Sequence, residues 1–182
     1  MVDLGLNHVV RVRVPRLVSM GGFNNANANL KLDKRVHIAM DTLESTRVAA
    51  LATIRRCATP HGLYASAPPD GYTMVFARDS MITLLGARFE DAPFVCTQFK
   101  KSLETLAMHQ SPTGQIPNAV DRWDPKRPKN DSFATVDSTL WWLIGFATYA
   151  TRFKDKAFAK RFDSNAQKAF QWLACQDTGE DS

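Results

Sequence analysis

The stretch "ATVDSTLWW" (residues 134–142) sets a lone acid, Asp137, just ahead of Trp141 and Trp142. A carboxyl group that stays protonated near working pH can hand its proton to a leaving-group oxygen, which requires a raised pKa. Aromatic faces stack on the apolar faces of sugar rings, and an indole N–H can bond a hydroxyl. The same residues have a plainer use. An Asp before a helix is a good N-cap, worth about 1 kcal/mol, and the helix dipole there favours the carboxylate over the acid. Adjacent tryptophans project about 100° apart on a helix. Either one reaches a pocket while the other packs, or both are core. The local residues leave cap and acid both open.

Two more groups carry usable chemistry. "FARDSMITLLG" holds Arg78 and Asp79 at a helix mouth. An Arg fork donates and an Asp accepts, so together they can grip a polyol; the plain alternative is Asp79 as an N-cap beside a solvated Arg78. "SPTGQIPNAVDRW" carries Gln115, Asn118, Asp121 and Trp123. These suit either a turn or a stiff loop that shows hydrogen-bonding groups to a neutral sugar. Other chemistries lack their motifs. There is no nucleophile elbow, phosphate-binding loop, zinc-protease pair or dinucleotide turn. His8, His37, His61 and His109 have no ligand spacing, and the chain has no CxxC.

The elements that must position these groups read as helical. The apolar stripe Val36, Met40, Leu43, Leu51 and Ile54 predicts a helix from Asp33 to about Cys57, interrupted by Arg47. A Pro- and Gly-rich loop with extended pieces follows. A short helix is expected from Asp79 to Gly86. A stronger one runs from Asp91 to Gln110, with Pro93 in its first turn and Val95, Phe99, Leu103 and Leu106 buried. Residues 111–136 form a long loop stiffened by four prolines. Loops beyond about 12–15 residues are uncommon and often functional. "DSTLWWLIGFATYATRF" is apolar on nearly every face, so its helix should be buried all round. A last helix begins at Asp155 with Phe158, Phe162, Ala166, Phe170 and Leu173 on one face. Residues 1–30 alternate and then break, as a leader or edge segment. Residues 31–182 are read as one all-α layered unit in which outer helices cover inner ones.

The bulk numbers fit an ordinary globular chain. Its 182 residues are 45% hydrophobic and 23% charged, enough for a core. The net charge of +5 is scattered, so no nucleic-acid partner is expected. No apolar run reaches the roughly 18 residues of a membrane span. Cys57, Cys96 and Cys175 are too few and too far apart for a disulfide framework, which points to a reducing, cytoplasmic setting. No secretory signal is read, although the acid-poor start leaves a transit-like leader open.

"ARDSMITLLG", "GQIPN", "VDSTLWW" and "WLACQDT", in that order, resemble the catalytic domain of (α/α)6-barrel glycoside hydrolases, over about residues 65–178. The likeness is to glycogen-debranching-type amylo-α-1,6-glucosidases, with neutral/alkaline invertases related and glucoamylases more remote. The resemblance implies a partial (α/α)6 toroid, an incomplete six-hairpin barrel. It implies that Arg78 and Asp79 hold the sugar, that Asp137 is the general acid, and that Gln115, Asn118, Trp141 and Trp142 line the pocket. It implies an α-glucan or oligosaccharide substrate and no cofactor or metal. The expected second carboxylate of glycoside hydrolysis has no counterpart in these motifs. The chain is therefore expected to be an N-terminal part of such a domain. An open edge would meet the rest of the barrel or a second copy. Sucrose hydrolysis and a non-catalytic sugar-binding or scaffold role are the alternatives.

Overall fold

The computed structural model describes residues 26–69, 71–90 and 92–176, with side chains from residue 41 onward. The chain divides into two compact units, Met1–Leu43 and Glu44–Ser182. Of the first, the described residues are helical backbone, the start of α1 (Ala26–Cys57). That helix begins seven residues before the expected Asp33. Asn27 and Asn29, read from the sequence as loop formers, lie inside it. The strand-like alternation of residues 9–18, and the side chains of Val36 and Met40, lie outside the described residues.

The second unit is built from helices and two small sheets. After α1 come β1 (Ala58–Thr59), β2 (Gly62–Leu63), β3 (Val75–Phe76), α2 (Ala77–Ala87) and α3 (Pro93–Met108). Then follow β4 (Ala119–Asp121), β5 (Asn130–Ser132), α4 (Asp137–Phe153) and α5 (Lys156–Ala174). The fold is all-α, a partial helical toroid with no closed sheet. α2 and α4 lie side by side, and α3 and α5 pack across them. β1–β2 is a two-stranded hairpin, and β3–β4–β5 is an antiparallel three-stranded sheet. The loop of residues 111–136 therefore holds two strands that sequence reading did not foresee.

Local chemistry explains the helix ends. Pro93 sits at the first position of α3, where its missing N–H costs nothing. Asp155 caps α5, accepting the Phe158 N–H at 3.0 Å. α4 ends at Lys154, whose left-handed φ of 52° turns the chain into α5. Gly114 (φ +105°) lets the long loop press against α5; a Cβ there would land on the Lys168 carbonyl.

The core lies between the layers. Met81 and Leu84 of α2, Val95, Phe99, Leu103 and Leu106 of α3, Trp142 and Tyr149 of α4, and Phe158 and Phe162 of α5 are buried. Gly145 brings α4 against Met81 and Phe99. Several expectations need correcting. α4 is not buried all round: Leu140 and Ile144 are each 48% exposed, because the neighbours of α4 cover only one side. Phe170 is 69% exposed, and Ala169 takes the buried position on α5. Leu43 is exposed as well. Arg47 does not interrupt a packed stripe; it pairs with Glu44 and Glu90. Among the described residues no helix is long and apolar enough to cross a membrane, and Cys57, Cys96 and Cys175 are free thiols.

Candidate active site

The N-terminal ends of α2 and α4 each carry an Asp-Ser pair, Asp79-Ser80 and Asp137-Ser138. The serines are buried and tie down the incoming loops. Ser80 Oγ donates to the Leu63 carbonyl at 3.0 Å, while the Leu63 N–H donates to Ser102 Oγ at 2.9 Å. Ser138 Oγ donates to the Ile116 and Thr135 carbonyls, both at 2.9 Å, and the Ile116 N–H donates to Thr139 Oγ1 at 3.1 Å. Each helix thus fixes the strand or loop that precedes it, and each leaves its aspartate at the surface end. Ser80, Ser138 and Thr139 were not singled out from the sequence. The signal was the repeated "DS" at the mouth of two helices.

The two ends meet. Arg78 Nη1 donates to Asp137 Oδ2 at 2.8 Å. Phe76, Arg78, Asp79, Asn118, Thr135, Asp137 and Ser138 line a crevice of about 40 Å³. The structure therefore brings Arg78, Asp79, Asn118 and Asp137 together. Neither aspartate is the N-cap that local sequence suggested. Phe76 and Val136 hold the capping positions, without side-chain caps, and the aspartates lie inside the first turn. A first-turn carboxylate still gains from the helix dipole.

Asp137 is held below the ordinary carboxylate range. The Thr135 hydroxyl bonded to it is the first cause, and the Arg78 hydrogen bond and charge and the Ser138 N–H add to it against a small burial penalty. In the empty site Asp137 is therefore ionised, as hydrogen bonds to a charged form require. Arg78 and Asp137 keep 56% and 35% of their side-chain surface exposed, so water screens the pair and a ligand can reach both.

The other expected pocket residues divide. Gln115 spends its amide on the chain, donating to the Phe133 carbonyl at 3.1 Å and the Thr135 carbonyl at 3.2 Å. It braces the segment leading to Asp137 and is not among the residues lining the crevice. Asn118 lines the crevice but also accepts the Ala134 N–H at 3.0 Å. Its carbonyl receives the Ala77 N–H and its own N–H reaches the Ser132 carbonyl, so it joins β5 to the start of α2. Trp142 is a correction. It is fully buried, stacks on Phe146 at 5.2 Å, and donates its indole N–H to the Leu103 carbonyl at 3.0 Å. No ligand can use it. Trp141 is half-buried and lies one turn beyond Asp137 on the same helical stripe. Asp121 is engaged by Arg127, and Trp123 stacks on His61 at 4.0 Å; both brace the loop. Among the described residues no group of three or more His, Cys, Asp or Glu side chains is placed to hold a metal.

The comparisons with known proteins agree with this geometry. Residues 48–175 match the family model described as amylo-alpha-1,6-glucosidase, and the chain belongs to that family. The match spans α2 to α5, both Asp-Ser pairs and the loop between them. Membership brings a glycosidase, debranching-like function. No curated protein and no solved structure matches the chain.

Proposed function

We propose that the protein acts on α-linked glucosides of branched α-glucans, with Asp137 as the proton donor and Arg78 and Asp79 as the grip on sugar hydroxyls. The observation that carries this reading is the meeting of Arg78 and Asp137 across the mouths of α2 and α4. The reaction needs Asp137 protonated while the leaving oxygen is still bonded to the sugar. In the empty site the Arg78 fork opposes this. A bound sugar supplies acceptors for that fork and displaces water from the crevice. Both changes remove support from the carboxylate and raise its pKa. Substrate binding itself then arms the acid.

A second reading has its own support. The ionised Arg78–Asp137 pair is also a good hydroxyl clamp, which suits a protein that binds a sugar without cleaving it. An invertase-like action on sucrose differs from the first reading only in substrate. Glucose release from limit dextrin, maltose and sucrose separates the three. Release from limit dextrin supports the debranching reading, and release from sucrose alone replaces it with the invertase one. Ligand-dependent tryptophan fluorescence with no released glucose supports the binding protein.

A further inference from the structure

The crevice at Asp137 is too small for a sugar ring. A water needs about 10–15 Å³ of such space, so 40 Å³ holds only a few waters. Asp79 lines a second hollow as well, of about 140 Å³, between α1, the β2 segment and α2. By the same measure it has room for about ten waters, the scale of one sugar ring. Its other walls are Thr53, Ile54, Cys57, Leu63, Tyr64, Ala65 and Thr83. The Asp79 carboxylate has no hydrogen-bond or ion-pair partner among the described residues.

We propose that the hollow behind Asp79 is a subsite for a single neutral sugar ring, which reaches the Arg78–Asp137 crevice only by its edge. The proposal rests on the glycosidase reading above and deepens it by saying where the ring lies. The chemistry of the walls selects the ligand class. Ile54, Leu63 and Ala65 offer apolar surface to a ring face, and Thr53 and Thr83 offer hydroxyls. Asp79 accepts from sugar hydroxyls at the junction of the two hollows. No Lys or Arg lines the hollow, and its one carboxylate is negative. A phosphorylated or acidic sugar is therefore repelled, and a neutral one is not. Aspartate shared between hollow and crevice lets one ring touch both, which neither space allows alone.

Cys57 provides the readout. It is 8% exposed and lines the hollow, and burial pushes its thiol pKa up. The experiment uses the full chain with Cys96→Ser and Cys175→Ser. Modification of Cys57 by methyl methanethiosulfonate is followed by mass spectrometry with maltose, glucose 6-phosphate or neither. With maltose at about ten times its dissociation constant, the rate should fall about tenfold by mass action. Glucose 6-phosphate should leave it unchanged. Ala65 is exposed, so Ala65→Trp can block the hollow without disturbing the core. That variant should abolish the ratio of rates with and without maltose, and Asp79→Asn should reduce it. An equal Cys57 rate with and without maltose overturns the subsite, as does equal protection by glucose 6-phosphate. Hydrolysis is measured beside it. Hydrolysis without protection removes the subsite and leaves the glycosidase reading. Protection without hydrolysis keeps the subsite and removes that reading.

Discussion

Replacing Trp142 by Phe tests the division of labour between the paired tryptophans. Trp142 is fully buried, stacked on Phe146, and bonded through its indole N–H to the Leu103 carbonyl. Phe keeps the stack but loses the second ring and the donor. The lost hydrogen bond costs about 1 kcal/mol. Leu103 lies inside α3, so its carbonyl keeps its helical partner and the lower half of that range applies. The missing ring is roughly two methylene equivalents, or about 1.6 kcal/mol of transfer energy at 0.8 each, with a cavity term added because the site relaxes only partly. The sum is about 3 kcal/mol. Urea unfolding followed by far-UV circular dichroism reads this directly. With m near 2 kcal/mol/M, the midpoint should fall by about 1.5 M. Trp141→Phe, at a half-buried position, should move the midpoint by less than half as much. Equal shifts for the two variants would refute the assignment of Trp142 to the core and Trp141 to the site side.

Other outcomes follow from named contacts. Lys154 ends α4 in the left-handed region at φ 52°. Lys154→Gly should therefore raise stability, by about 1 kcal/mol, measured as a higher Tm. Asp131 is held below its ordinary 3.8, first by Arg122 and then by His109, against the cost of burial. A carboxylate with a lowered folded-state pKa contributes stability above its unfolded value and loses it as pH falls toward the folded one. The stability gap between native protein and Asp131→Asn should be full at pH 6 and close as pH drops below about 4. A gap that widens on acidification would reverse the sign of the argument.

The parts of the fold that were legible in sequence are those with a period or a cap. α3 announced itself by Pro93 and a buried 3–4 spacing, and α5 by Asp155 and its phenylalanines. β1 to β5 were not legible, because strands of two or three residues carry no alternation to read. They exist because buried serines at the helix mouths hold the loops in pairing distance. The exposure of Leu140, Ile144 and Phe170 was hidden for another reason: hydrophobicity marks what can be buried, and only the neighbours decide what is. In the site, Arg78, Asp79, Asn118 and Asp137 could be named from residue type and order. That Gln115 and Trp142 hydrogen-bond to the chain itself could not, since backbone carbonyls compete for the same donors that would suit a sugar. The protonation of Asp137 was equally out of reach. It depends on Arg78, fifty-nine positions away, and on the Thr135 hydroxyl.

The central claim is that Asp137 delivers a proton to a glucosidic oxygen. Its most direct test is the initial rate of glucose release from limit dextrin by the native chain and by Asp137→Asn, at matched folding by circular dichroism. Asn keeps the shape and the hydrogen bond to Arg78 but has no proton to give. Loss of a general acid typically costs 10²–10⁴-fold, so the variant should be slower by about a hundredfold or more. An Asp137→Asn protein that releases glucose at the native rate would contradict the account.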